Sequence, residues 1–412
     1  RESWMSCMSN ILNQFNLRVS YGIQGNAVNS ISPDLILRQG TVKSTYGKYQ
    51  SDIVRLPNPD LSWERTKSWN FGLDVQVLQW ITMNLEYYNK KSNDILSQNI
   101  ALEYGMPATE INGGKVENYG VEYSLNITPI RGKDWGWTVG LNSSKNWNKA
   151  HTQSLDVFSL NEYLSGAKGG NKVLKKGYPL SAFWAYSFKG LNHDTGLPEF
   201  NLPYQRDEQG NIVKDGYGNY LYDNVDGYTD FLVYAGKSEP DFSGGLTTRL
   251  RWRGLTFGAN FSLLLGAKKR LASPYSTGTK MPHSDKNLSR DLLKRWKKPG
   301  DEAYTDVPSL FTGQVVEFMN MPYGEEVENI YSMWANSDIM LVKADFLRCQ
   351  QMSLTWNVDE YWCARVGLKS LQLNVIMNNV FVIASKKFNG FDPELGNSIQ
   401  PKTYSFGVNI GF

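Results

Sequence analysis

The sequence is poor in cysteine and histidine and has no long apolar run. Three cysteines in 412 residues cannot build a disulfide framework, and the three histidines, His151, His193 and His283, lack zinc-ligand spacing. No window approaches the roughly 18 consecutive apolar residues that a spanning helix needs. An excess of one charge is missing too. Lys and Arg number 43 against 40 Asp and Glu, a net +3, which excludes a polycation built for nucleic acid. There is no strand-to-helix phosphate loop, no Ser/His/Asp set and no carboxylate pair with supporting context, so the chain reads as a non-enzyme and no cofactor is expected. The opening Arg1-Glu2-Ser3-Trp4 has no Met start, basic region or apolar core of a signal, so either a signal has been removed or the chain is a piece of something longer.

What the sequence has is alternation. Aromatics reach 13%, and apolar residues recur at every second position over many segments. Val121, Tyr123, Leu125 and Ile127 share one face against Glu122, Ser124, Asn126 and Thr128. The same pattern runs through 69–77, 135–147, 246–252 and 403–412, and it means half-buried strands. About twelve strands are expected, near 15–24, 66–78, 81–96, 116–130, 135–148, 178–190, 197–204, 242–253, 255–266, 344–358, 368–382 and 403–412. Tight turns fall near Gln79-Trp80, Gly132-Lys133-Asp134 and Arg253-Gly254, and long connections cover 25–65, 97–115, 149–177, 205–241, 267–343 and 383–402. Tight turns must share one side, so an even number of strands must separate any two of them. That parity supplies 197–204 as the partner of 178–190. A helix is expected over Asn287 to Trp296, ahead of Pro299.

Short turns on one side and long loops on the other are the layout of a transmembrane β-barrel, whose lipid face is hidden from a hydropathy scan by its alternation. The mean hydropathy of −0.43 therefore does not decide against a membrane. Trp137 and Trp147 share a face ten residues apart. At about 3.4 Å per residue and roughly 45° of tilt they stand about 24 Å apart in height, the spacing of two aromatic girdles. The opposite face carries Asp74, Glu86, Asn126, Asn142, Arg249 and Arg251, groups that are costly in a dry core and cheap in a wet lumen. The final strand places Tyr404, Phe406, Val408, Ile410 and Phe412 on the lipid side against Ser405, Gly407, Asn409 and Gly411, and ends on an aromatic residue. This reads as the carboxyl-terminal signal that bacterial outer-membrane assembly recognises.

Several segments, in order along nearly the whole chain, carry a more specific likeness: LRVSYGIQGN (17–26), NPDLSWE (58–64) with Asn70-x-Gly72-Leu73-Asp74, YYNKK (87–91), NGGKVENYGVE (112–122), DFSGG (241–245), DFLR (345–348), FDPE (391–394) and the terminal QPKTYSFGVNIGF. The chain resembles the SusC/RagA-type TonB-dependent transporters of the Bacteroidetes outer membrane. The resemblance implies an all-β transmembrane antiparallel barrel of typically twenty-two strands, of which about 12 are here, so that residues 1–412 form the C-terminal part of a receptor barrel whose plug domain is absent from this chain. It also implies import of oligosaccharides or peptides driven through TonB-ExbB-ExbD, which would act through the missing N-terminal part, and a SusD-like surface lipoprotein as lid. The competing readings are a structural or adhesive outer-membrane barrel and a soluble glycan-binding β-domain.

Candidate contact residues lie in the long loops. Tyr217, Tyr220, Tyr222 and Tyr228, with Tyr204 nearby, offer rings to a sugar or to a lid, or pack the loop on itself; Trp296 is a further candidate. YDNVDGYTD (222–230) sits where the family often has a D-x-N-x-D-G cation loop. Asn224, Asp226 and Asp230 are in place, but Tyr222 replaces the first Asp and no bidentate Glu follows, so no metal is assigned. Cys7, Cys349 and Cys363 are expected unpaired.

Overall fold

In the computed structural model, ten strands hydrogen-bond in sequence order into one antiparallel sheet. They are β1 (Leu12–Asn26), β2 (Glu64–Val77), β3 (Ile81–Asn99), β4 (Ala108–Arg131), β5 (Trp135–Ala150), β6 (Phe242–Trp252), β7 (Leu255–Leu265), β8 (Phe346–Asn357), β9 (Ser370–Ala384) and β10 (Thr403–Gly411). The structure describes residues 11–27, 32–43, 47–99, 108–152, 160–165, 174–216, 218, 220–223, 228–275, 285, 287–310, 313–318, 326–396 and 398–412.

Neighbouring strands pair over long registers, so the backbone groups are satisfied within the sheet, as a hydrocarbon setting demands. The tight turns all fall at one end. Val77 pairs with Ile81 around Leu78 and Gln79, which take φ of 51° and 60°. These left-handed positions favour Asn-Gly; here they are braced from outside, because Asn13 Oδ1 accepts from the Gln79 amide and Arg131 donates to the Gln79 carbonyl. Arg253 (φ 50°) turns β6 into β7. At the other end β3 and β4 run to 19 and 24 residues, where about 9–11 suffice to span. The segment 97–115, expected as a loop, is therefore partly a hairpin standing beyond the wall. Residues 27–63 likewise carry a ribbon, Ile36–Lys43 against Lys48–Arg55.

Two expected wall strands are not in the wall. Within 178–190 and 197–204, Ala182–Ala185 pairs with Val233–Lys237 and Phe188–Leu191 with Pro198–Phe200. The count of sheet strands among the described residues is thus ten, not twelve. These ribbons are three to five residues long, too short to cross. Their alternation is real, but it faces a dry core rather than lipid. Parity could not expose the error, since removing both strands leaves the tight turns on one side. The helix expected over 287–296 is a single 3-10 turn, Arg290–Lys294, capped by Ser289. Too few residues remain before Pro299 for a stable α-helix.

The main hydrophobic core belongs to the connections. Trp184, Tyr186, Phe231, Tyr275, Phe318, Tyr331, Met333 and Trp334 pack together, and every buried member of this cluster lies between residues 160 and 340. Aromatic contacts knit it: Phe231 and Phe318 at 4.9 Å, Tyr275 and Tyr331 at 5.1 Å. The 149–241 and 267–343 connections are therefore a folded crown at one end of the sheet.

On the sheet itself, outward apolar side chains are exposed, such as Leu17, Phe71, Leu141, Leu354 and Phe406. Aromatics collect at two heights on this face. Tyr21–Trp69 (4.6 Å) and Tyr119–Trp147 (5.4 Å) lie toward the crown, and Trp135–Trp252 (5.7 Å) lies by the turns. Leu141, between Leu125 and Leu246, lies between these bands. We expect Leu141→Arg to cost about 2–4 kcal/mol in folding into lipid vesicles, and the adjacent, inward Asn142→Lys to stay within about 0.5 kcal/mol. Denaturant titration of refolded protein checks both; equal penalties at the two positions would contradict the assignment of faces.

Candidate functional site: inner wall and loop crown

The inner face is built from residues one step out of phase with the apolar ones. Arg18 on β1 donates to both oxygens of Asp74 (2.9 and 3.0 Å) on β2 and reaches Glu86 on β3 (2.8 Å). Gly72 makes room for it: a Cβ there would lie 3.0 Å from the guanidinium. Asn84 also bonds Asp74. Next along the wall, Glu122, Ser124, Asn142, Ser144, Ser243 and Asn260 line a polar cleft of about 640 Å³. Gly245 is again the space for a neighbour, since a Cβ would meet Asn142 Oδ1 at 2.3 Å. Nearer the turns, Asn126 lies against Gly140, and Arg251 lies over Gly136 and donates to the Gly132 carbonyl (3.1 Å). Arg249 occupies the same face in register with Thr138 and Gly258. This surface offers hydroxyls and amides to water or a polar solute. Among the described residues no group of three or more His, Cys, Asp or Glu is placed to hold a metal.

The segments noticed in the sequence meet in pairs. Arg18 of LRVSYGIQGN grips Asp74 of N-x-G-L-D. Ser62 of NPDLSWE and Asn112 of NGGKVENYGVE exchange two hydrogen bonds of 2.7 Å. Asn89 and Lys91 of YYNKK contact Glu117 of the following motif (2.8 and 3.4 Å). Arg348 of DFLR chelates Asp392 of FDPE (2.7 and 2.6 Å) and also pairs with Glu394. The Arg348 and Asp392 side chains are 7% and 3% exposed. Lys269 donates to the carbonyls of Pro393 and Glu394 (2.8 and 2.6 Å), so the same knot ties the β9–β10 connection to the crown.

The crown redefines the loop candidates. Tyr222 is 4% exposed, stacked on Tyr204 and in T-shaped contact with Phe231. Burial pushes the Tyr204 phenol up to about 12 and raises that of Tyr222 as well. Trp296 is 8% exposed, pressed on Gly196 (φ 68°), where a Cβ would sit 2.2 Å from the indole. Tyr222 and Trp296 are thus packing residues, a correction to their reading as substrate or lid contacts: a ring that closes a core has no face left for a ligand. Tyr220 is 39% exposed, with Lys214 over its ring at 4.3 Å. Tyr217, Asn224, Asp226 and Cys7 lie outside the described residues, as does the side chain of Tyr228; Asp230 lies within the 3-10 turn Tyr228–Phe231 and is exposed. Cys349 and Cys363 are free and buried.

Two features of the crown were not foreseen. Arg270 donates to the Trp184 and Ala335 carbonyls, and burial brings its guanidinium down to about 10. His193 meets Glu302 at 2.6 Å, and Glu302 also accepts from Trp296 Nε1 and the Gly300 amide. These donors hold Glu302 at about 2, and the carboxylate raises His193. No sequence signal identifies either, because each depends on loops distant in the chain.

The comparisons bear on this geometry. The profile of the family described as TonB dependent receptor-like, beta-barrel, matches residues 9–260. The chain belongs to that family. TonB-dependent receptor P3 of Formosa agariphila is 26% identical over 98% of this chain and 38% of its own length. TonB-dependent receptor SusC of Bacteroides thetaiotaomicron is 25% identical over 96% of this chain and 36% of its own. The solved structure of the RagAB peptide transporter superposes with a TM-score of 0.69 at 23% identity, over 98% of this chain and 41% of that one. The SusC/RagA resemblance, the all-β barrel class and the outer-membrane setting read from the sequence are borne out. The chain spans under two-fifths of the length of these curated relatives.

Two outcomes follow from the site. Arg348→Ala leaves Asp392 buried without its partner, and the expected loss is about 3–5 kcal/mol, read by denaturant unfolding together with new protease cleavage in 385–402. For the His193–Glu302 clasp the sign is set by both partners. The raised His193 contributes stability that is complete below its ordinary 6.5 and is lost as pH rises through its higher folded value. Glu302, lowered from 4.5, contributes above 4.5 and loses this toward about 2. Amide exchange at 192–196 and 300–309, corrected for intrinsic rates, should be slowest between these limits and speed up on the alkaline side. His193→Gln should flatten the alkaline limb; an unaltered profile would refute the clasp.

Proposed function

We propose that this chain is the C-terminal part of the wall of an outer-membrane importer that takes up oligosaccharides or peptides with energy delivered through TonB-ExbB-ExbD. The observation that carries the proposal is the two-faced sheet: apolar with aromatic bands outside, hydroxyl- and amide-lined inside, and roofed at one end by a packed crown. A hydrated passage of this kind suits polar solutes too large for unaided diffusion. The plug, and the contact with TonB, belong on this reading to the part of the longer protein that would precede the chain. The crown lies at the extracellular mouth, where a SusD-like lipoprotein would close, and Tyr220 offers it an exposed ring. The edge strand β10, with Tyr404, Phe406, Gly407, Val408, Ile410 and Phe412, serves as the assembly signal.

The test is uptake by cells that carry the full-length protein. Labelled oligosaccharide and peptide pools are supplied with TonB present or deleted, and the protein is purified under mild detergent to ask whether a helical surface lipoprotein accompanies it. Uptake of one pool that disappears without TonB is expected, with a lipoprotein retained. Uptake that survives the deletion, or cell adhesion with no uptake, would replace import by the structural or adhesive reading.

A further inference from the structure

The outer face of the wall carries cations where an apolar surface would be expected to end. On the crown side of the band formed by Trp69, Asn89, Tyr119 and Trp147, the outward positions turn charged: Lys67, Lys91, Glu117 and Lys149 lie two residues beyond it, and Arg65 and Lys115 lie four beyond. The registers bring them into a row. Lys67 lies directly opposite Lys91, Lys91 opposite Glu117, and Glu117 opposite Lys149, while Lys115 faces Asn93 beside Arg65. All five cations are exposed.

The row is undercompensated. Glu117 is the acidic member, and it is already shared with Asn89, Lys91 and His151. Lys67, directly across from Lys91, has no carboxylate within ion-pair distance among the described residues. Like charges facing each other across strands destabilise a sheet, so this arrangement is favourable when an anion sits between them. The row is also local: on the neighbouring wall, the crown-side outward positions of β7 to β9 are Leu263, Leu265, Leu347, Phe381 and Ile383.

Height identifies the anion. Two residues past the aromatic band advance about 7 Å along the strand and roughly 5 Å along the membrane normal. Four residues, at Arg65 and Lys115, rise about 10 Å; aromatic girdles mark the boundary of the hydrocarbon, so all five cationic groups stand within the headgroup layer of the outward leaflet. We propose that Arg65, Lys67, Lys91, Lys115 and Lys149 form a lipid-binding site on the outer wall that takes the phosphate of a phosphorylated glycolipid headgroup. The site rests on the outward orientation of this face but not on what the lumen carries. Its consequence is an asymmetric lipid shell, held on the β2–β5 side and absent from β7–β9.

The experiment uses full-length protein in nanodiscs of phosphatidylcholine doped with lipid A, either phosphorylated or enzymatically dephosphorylated, with bound lipid counted by native mass spectrometry. The wild type should retain phosphorylated lipid A preferentially, and less of it as salt rises. Each cation removed should weaken retention by about fivefold, so Arg65→Gln, Lys67→Gln and Lys149→Gln together should abolish the preference. Lys67→Arg with Lys149→Arg should keep it. Lys133→Gln, at the opposite rim, should match wild type. Heat-modifiable gel mobility reports that each variant is folded, and a triple variant that misfolds passes the test to single Lys67→Gln. Equal retention of both lipids by the wild type, or an unchanged preference in the folded triple or single variant, would overturn the site. Displacement by millimolar inorganic phosphate as effective as by lipid A would overturn the lipid assignment. None of these failures would disturb the orientation of the wall, which detergent extraction and gel mobility report separately.

Discussion

The structure depends on one constraint: a sheet whose backbone groups bond to each other, set between hydrocarbon on one side and water on the other. In oil an unpaired amide or carbonyl costs several kcal/mol, so ten strands pair in order with few irregularities among the described residues. Period-two geometry then sends Leu141 outward and Asn142 inward with no further instruction. The inner face uses glycine to make that economy work. Gly72 under Arg18 and Gly245 beside Asn142 let long polar side chains lie across a neighbouring strand. The lumen lining is thus ordered by its own contacts and does not wait for a ligand.

The crown obeys the opposite rule. It is a soluble-type core of aromatics, with Tyr186 and Tyr331 fully buried, carried on a membrane wall. It is joined to the wall by a short ladder, Lys268–Arg270 against Leu341–Lys343, and by charged groups. Arg348, Asp392 and Glu394 join β8 to the β9–β10 connection, and Lys269 ties the crown to the same point. A buried ion pair adds little net stability but is costly to break, which suits a fastening that must hold one arrangement of long connections.

Alternation made most of the wall legible in the sequence. The strands at 66–78, 135–148, 242–253 and 403–412 are found within a few residues of where their pattern places them. It misled at 178–190 and 197–204, because a strand half-buried against a dry crown and one half-buried against lipid share the same period. It could not see the crown as a folded unit, since Phe318, Tyr331 and Trp334 are brought to Tyr186 by contacts more than 130 residues apart in the chain. The segments that carry the family likeness were visible one by one, yet their pairing, Ser62 with Asn112 and Arg348 with Asp392, is a property of register and loop path. Tyr222 and Trp296 show the same limit from the other side: a loop aromatic reads as a contact residue until the fold shows what covers it.

The orientation of the wall is open to one direct measurement. In a background without native cysteine, single cysteines are placed at each position of β5 from 135 to 150, and the full-length protein in vesicles is treated with a charged, membrane-impermeant maleimide. The account predicts an alternating pattern between the aromatic bands, with even positions such as 140, 142 and 144 labelled and odd positions such as 139, 141 and 143 protected. Uniform labelling along the strand, or protection of the even positions with labelling of the odd, would contradict a hydrocarbon-facing outer surface and a water-filled interior.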